Sequence, residues 1–392
     1  MNRISFAFIT IISIAASFVS VTHAGEWYYQ TTVTSDFVGD DNLRLRTEDE
    51  KGTVGADARV DIKLSNVTEI SEVYVRGALR SVRYDGGDDR GADTDDQLLY
   101  AGGRWDGERS RLTIDGEFLR QSSLYTELED TGFLEDTQRR VDKSINTQYN
   151  YTVIEDTQVF AGASYSEVDF PNETPVSLTE YSVESVNAGV VYNFDTLNYV
   201  TLSVFNANYE ADTFVSDVET NGTTIRYDKT INELWRGYTQ VGYRKSNFKN
   251  EELGMTVRDD DTGTSYDVGA TRQSQVSTLS IEASNSLQPS ADGDVSERTE
   301  VNFGYKRLFS DRFSSRIDLD WFEDESINNE QESNREYWTL SLGADYRLAQ
   351  KWYLTGQVRH RDQKFDDDID SSDADSDAVI IGITYRGQNN RI

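Results

Sequence analysis

The 392-residue chain has no cysteine, three prolines, two methionines and two histidines. Without cysteine there is no disulfide framework, no thiolate metal site and no thiol nucleophile. With so little proline, few residues are barred from donating to a β-ladder. Positive charge is also scarce: 38 Lys and Arg stand against 70 Asp and Glu, a net charge of −32. Nucleic-acid binding requires a basic footprint, so this balance excludes nucleic acid as a partner. Past the N-terminal segment no run approaches 18 apolar residues and the mean hydropathy is negative, which excludes a bundle of membrane helices. Disorder does not fit either, because 22 tyrosines, 17 phenylalanines and 6 tryptophans are too many for a solvated polymer.

Residues 1–24 read as a secretory signal. Arg3 supplies the positive end, residues 4–19 the apolar core, and Thr22-His23-Ala24 a cleavage site before Gly25. The exported chain, 25–392, then needs rigidity from something other than disulfides, and a large closed hydrogen-bonded sheet supplies it.

What the chain does have is one pattern repeated. The cleanest copy sets Val54, Ala56, Ala58, Val60, Ile62 and Leu64 against Gly55, Asp57, Arg59, Asp61, Lys63 and Ser65. A period of two places these sets on opposite faces of a strand. Leu112, Ile114, Gly116 and Phe118 repeat it, as do Phe313 to Trp321 and Trp338 to Tyr346. About 18 segments of about ten residues follow this rule, a length suited to a tilted crossing of a bilayer. Short connections near 66–69, 106–109, 153–156, 194–197, 232–233, 273–275, 308–311 and 349–350 alternate with nine longer ones of roughly 12–18 residues. The longer ones fall near 35–51, 84–96, 121–137, 167–181, 210–222, 246–263, 286–297, 323–335 and 362–376. Trp105, Trp235, Trp321, Trp338 and Trp352 fall at the ends of the apolar runs, as interfacial girdles require. The predicted fold is all-β: a transmembrane antiparallel β-barrel of the outer membrane, with about 18 strands, short periplasmic turns and long acidic outer loops.

Sorting charge by this pattern assigns about 45 of the 70 acids and about 8 of the 38 bases to the nine outer connections, leaving the wall near neutral. Acidic connections at a pore mouth concentrate cations, or bridge loosely bound Ca²⁺ or Mg²⁺ to outer-leaflet phosphates. Period two places a mixed set on the water-facing wall: Arg59, Arg76, Arg80, Arg104, Arg111, Arg236, Arg244, Arg298, Arg316 and Arg359, with Asp57, Asp61, Asp115, Glu117, Asp318 and Asp320. These are the candidate lumen-lining residues. Asp366, Asp368 and Asp370 have calcium-loop spacing, but Ser371 takes the glycine position and Asp377 replaces the closing glutamate. No resident cofactor is expected. His360, the sole histidine after the signal, alternates with Val358 and Leu354 and so points outward, away from any interior serine or acid. Its position, with paired carboxylates too numerous to single out any one, argues against an enzyme.

Several stretches resemble the β-barrel porin type 2 family of outer-membrane barrels. They are Gly39-Asp40-Asp41-Asn42-Leu43-Arg44, Leu79 to Asp85, Tyr149 to Tyr165 and Ile380 to Tyr385. One departure is that the last aromatic, Tyr385, is followed by 386–392, whereas such barrels usually finish on a terminal aromatic. The resemblance implies an outer-membrane channel for solute or polysaccharide, linked to exopolysaccharide biosynthesis or export, with no catalytic residues to carry over. The implied partners are outer-membrane lipid and lipopolysaccharide, the barrel assembly machinery and exopolysaccharide export components. The competing expectation is a non-conducting surface barrel, using its acidic loops for adhesion, matrix anchoring or assembly.

Overall fold

Alternation produces strands because each exposes one row of side chains to lipid and the other to water, while the backbone pairs sideways. A computed structural model describes residues 25–48, 50–85, 92–130, 138–171, 178–211, 216–252, 255–289, 295–327, 333–367, 371–387 and 390–391; the expected signal segment lies outside them. The strands are β1 (Glu26–Asp40), β2 (Thr53–Val67), β3 (Ser71–Asp85), β4 (Thr94–Asp106), β5 (Ser110–Ser122), β6 (Arg139–Ile154), β7 (Thr157–Asp169), β8 (Tyr181–Asn193) and β9 (Asn198–Ala211). They continue as β10 (Ser216–Thr230), β11 (Trp235–Glu252), β12 (Met255–Gln273), β13 (Ser277–Pro289), β14 (Val295–Ser310), β15 (Phe313–Ser326), β16 (Ser333–Arg347), β17 (Trp352–Asp367) and β18 (Ser371–Arg386). Each pairs antiparallel with its neighbour in sequence, and β18 returns to β1 from Thr32↔Arg386 to Asp40↔Ala378. The result is a closed 18-stranded antiparallel barrel. Asn390 and Arg391 prolong the seam by pairing with Tyr29 and Tyr28. The start of β1 and residues 390–391 therefore lie at the same rim.

At that rim the turns are short and fixed by their own side chains. Thr68 Oγ1 accepts from the Ser71 N–H, Asn232 Oδ1 from the Trp235 N–H, and Ser274 Oγ from the Ser277 N–H. Asp195 Oδ1 accepts from the Leu197 N–H at 2.7 Å, and this bond with the Asn198 amide holds its carboxyl below the usual range. In each of these four turns one polar side chain takes up N–H groups that the ladder leaves over.

The outer face carries a belt of exposed apolar side chains, among them Phe37 (68% exposed), Leu79 (66%) and Val54 (63%). On β17 the belt runs from Trp352 to Val358 and ends at His360. Eight rises of about 3.3 Å, tilted by about 40°, give an apolar height near 20 Å, close to that of outer-membrane barrels. The lower girdle includes Trp105, Tyr151, Tyr192, Trp235 and Trp352, and the upper one Tyr243, Tyr266, Trp321 and Trp338. No helix among the described residues is long and apolar enough to cross a membrane.

Two expectations change. The outer connections are shorter than predicted, because strands of 13–19 residues run on well past the belt. Within the connection expected over 210–222, β9 runs to Ala211 and β10 starts at Ser216; within that over 246–263, β11 runs to Glu252 and β12 starts at Met255. Period two is visible in a sequence only where one face meets lipid. Above the belt both faces meet water, the contrast vanishes, and the ladder continues unannounced. Much of the charge assigned to loops consequently sits on strand extensions, and Trp321 and Trp338 lie mid-strand as a directly paired couple. The third outer connection also holds an unpredicted helix, α1 (Ser123–Asp130).

Candidate channel interior and outer mouth

All sixteen lumen candidates lie on the face opposite the apolar belt, because each alternates with a belt residue on an uninterrupted stretch of ladder. They are knitted largely to each other. Asp61 meets Arg76 at 2.7 Å and Arg59 at 3.5 Å, and Asp57 meets Arg80 at 2.8 Å. Asp106 collects Arg104 at 3.0 Å and also Arg111, while Asp115 accepts from the Tyr74 hydroxyl at 2.8 Å. Arg298 grips Asp324 with two bonds of 2.6 and 2.7 Å, and Arg244 pairs with Glu297. Arg316 lies 3.7 Å from Asp318 and donates to Gln357. Arg236, Glu117 and Asp320 share the same face without joining these clusters.

A group of which only Arg359 was a lumen candidate closes the seam near the outer rim. Asp40 of β1 has a side chain with no exposed surface and receives Arg361 at 3.1 Å and Arg359 at 3.2 Å, both from β17. Its other oxygen accepts from Ser376 of β18 and from the Asn42 N–H. The Arg361 guanidinium also donates to the Asn42 and Leu43 carbonyls, so it pulls the segment after β1 inward. Asn42 bonds Arg46 and the Asp375 carbonyl, which tightens the same turn.

The segment 41–48 thus lies in the mouth rather than above it. Leu45 packs on Phe322, Tyr337 and Ala374, all on the inner faces of β15, β16 and β18. It holds a left-handed backbone, φ 49°, which costs a leucine about 1–2 kcal/mol and must be offset by that packing. Arg298 and Arg335 lie over the Phe322 ring at 4.0 and 4.9 Å. Leu43 packs in the opposite direction, on Ala92 and on Leu124 of α1. Tyr125 follows Leu124 into the lumen, donates to the Tyr84 hydroxyl at 2.9 Å and lies under the Arg80 guanidinium at 4.4 Å. Burial pushes its phenol far above the ordinary range, so it acts as a neutral donor. One sequence signal marked this mouth: Leu43 and Leu45 are apolar residues in an otherwise hydrophilic connection.

The wall opposite also leans in. The β12–β13 ladder stops at Tyr266↔Asn285, although β11–β12 continues to Glu252↔Met255. Above this split, Val295 of β14 packs on Tyr209, Ala211 and Val218. By parity Val295 shares the outer face of β14 with Val301 and Phe303, whereas Tyr209 and Val218 face inward. Their contact requires the start of β14 to tuck inside the rim of β9–β11.

No group of three or more acids or histidines among the described residues is placed to hold a metal ion. Asp366 lies on the outer face of β17, and Asp368 and Asp370 lie outside the described residues. His360 points outward, its Nδ1 2.9 Å from Asp377 and its ring 4.8 Å from that of Trp338.

No family model matches the chain, and neither does any curated protein. Solved barrels do resemble it. OccAB2 of Acinetobacter baumannii is 9% identical with a TM-score of 0.49, over 92% of this chain and 98% of that one. OccK2 (OpdF) of Pseudomonas aeruginosa, in complex with glucuronate, is 10% identical with a TM-score of 0.49 over the same shares. The ferric-catecholate import receptor Fiu of E. coli K12, in an open form, is 7% identical with a TM-score of 0.46, over 91% of this chain and 81% of that one. At these identities the likeness is one of barrel architecture, and no residue role is carried over.

Proposed function

We propose that the chain is an outer-membrane channel for small polar solutes, narrowed at its outer mouth. The observation that carries this reading is the pairing of a lipid-suited belt outside with a charged, hydroxyl-rich interior in one closed sheet. Transport of this kind needs no chemistry and no cofactor. Planar-bilayer recording on the refolded protein tests it: discrete conductance steps are expected, and a bilayer silent at all voltages overturns it.

The finer reading, passage of exopolysaccharide, rests on the family resemblance alone. A polymer would have to displace Leu43, Leu45 and Leu124, so small solutes fit this mouth better. The same inward packing favours the second reading, a non-conducting surface barrel for adhesion or assembly, to which the silent bilayer would point. In either case outward acids above the belt, such as Asp375 and Asp377 on β18, would meet lipopolysaccharide through shared Ca²⁺ or Mg²⁺. Insertion would pass through the barrel assembly machinery.

A further inference from the structure

Most of the barrel's charge is negative, yet one part of the inner wall is basic. A recess of about 610 Å³ opens against β1–β4 in the half of the lumen nearer the chain termini. Its lining holds three cations, Arg59, Lys63 and Arg76, against one carboxylate, Asp61. Asp61 is already taken by Arg76 and, more loosely, by Arg59.

The register sharpens this surplus. Lys63 stands directly opposite Arg76 across the β2–β3 ladder, and Arg59 directly opposite Arg80. Like charges in that relation destabilise a sheet unless an anion lies between or beside them. Asp57 answers Arg80, and Asp61 answers Arg76. Among the described residues Lys63 has no carboxylate at ion-pair distance, and its ammonium rests over the Tyr74 ring at 4.9 Å. Tyr74 is held in place by its bond to Asp115, and Arg76 lies over Tyr100 at 5.4 Å. One carboxylate, Asp61, thus serves Arg76 and Arg59, while Lys63 is placed by its strand and the Tyr74 ring.

Around them the wall is polar and carries Asp115 and Glu117 of β5 on the same inner face. Gln30, Thr32 and Thr34 of β1 complete the recess. Beside it a second recess of about 280 Å³ is lined by Thr113, Asp115, Asn146, Gln148 and Asn150. A carboxylate suits the cations, and a chain or ring of hydroxyls suits the amides and alcohols. We propose that this recess binds a polyhydroxylated carboxylate, a sugar acid, through Arg59, Lys63 and Arg76. The volume lies within the range of small-ligand sites. The proposal takes its place on a solute path from the channel reading, but binding itself does not need an open mouth.

Calorimetric titration of the folded barrel in detergent micelles tests it, with glucuronate as the probe, glucose as its uncharged counterpart and sulfate as a simple anion. Saturable binding of glucuronate is expected, with weaker binding of both controls. Lys63→Gln should weaken glucuronate by about tenfold or more, since a charge-assisted hydrogen bond is worth about 1.5–3 kcal/mol, and Lys63→Arg should restore it. Heat-modifiable migration in gels confirms that each variant is folded. Equal affinity for glucose, equal affinity for sulfate, or glucuronate binding untouched by Lys63→Gln would each overturn the site. A silent bilayer with intact glucuronate binding would remove the channel and leave the recess standing. A conducting barrel with no glucuronate binding would do the reverse.

Discussion

Asp40 and Arg361 meet at 3.1 Å across the seam where the last strands close on the first, and both side chains are almost wholly buried. The pair couples two things that are separate in sequence: closure of the barrel and the position of the segment behind β1. Because the same guanidinium holds the Asn42 and Leu43 carbonyls, loosening the seam loosens the mouth.

Asp40→Ala should consequently have two effects. Removing one partner of a buried ion pair leaves Arg361 and Arg359 uncompensated, at a cost of about 3–5 kcal/mol. The temperature at which the folded gel band converts to the unfolded one should fall clearly below wild type. In bilayers the variant should show noisier, larger currents as 41–48 is released. An unchanged transition temperature would mean that the pair contributes nothing to closure.

The mouth can be tested without touching the seam. Leu43→Ser with Leu45→Asn removes the two apolar anchors, and asparagine tolerates the left-handed backbone at position 45 better than leucine. Conductance should rise while gel mobility stays that of a folded barrel. If single-channel conductance equals wild type, the restriction lies elsewhere, and the inward-tucked start of β14 at Val295 is the next candidate.

The parts of this architecture legible in the sequence were those where lipid imposes a contrast. Val54 to Leu64 announced β2 because water and hydrocarbon select opposite residues on its two faces. The same contrast placed Arg59, Asp61 and Arg76 on the inner wall and His360 outside. It fell silent above the belt, where β11 and β12 continue as polar strands with nothing to mark them. Asp40 stood in the stretch Gly39–Arg44, but its pairing was invisible for another reason: its partners Arg361 and Ser376 lie more than 300 residues away, and only closure brings them together. Strand counting shows that a seam exists but not which buried charges it joins.

Closure also leaves a steric prediction. Gly382 of β18 faces Asp36 of β1 across the seam, and a Cβ at that position would collide with the Asp36 carboxylate. Gly382→Val should lower refolding yield and cost about 1–3 kcal/mol through overpacking. Gly77→Ala is the control, since nothing lies within 4 Å of the added carbon. Equal refolding of both variants would show that the seam has room to adjust.

Selectivity offers the last test, because the two signs of charge occupy different depths. Acids predominate on the extensions above the belt, in the open, whereas Arg59, Lys63 and Arg76 line the interior nearer the other rim. The Debye length falls from about 10 Å at 0.1 M salt to about 3 Å at 1 M, so widely spaced outer charges are screened first. Reversal potentials should show a cation preference at 0.1 M KCl that declines toward unity, or inverts, at 1 M. Inversion would follow from the basic recess, whose cations stay close to any ion passing it. A cation preference undiminished at 1 M would place the filter among interior carboxylates such as Asp318 and Asp320 instead. Asp318→Asn with Asp320→Asn would then abolish the preference, whereas the outer-charge account expects that double variant to leave the salt dependence in place.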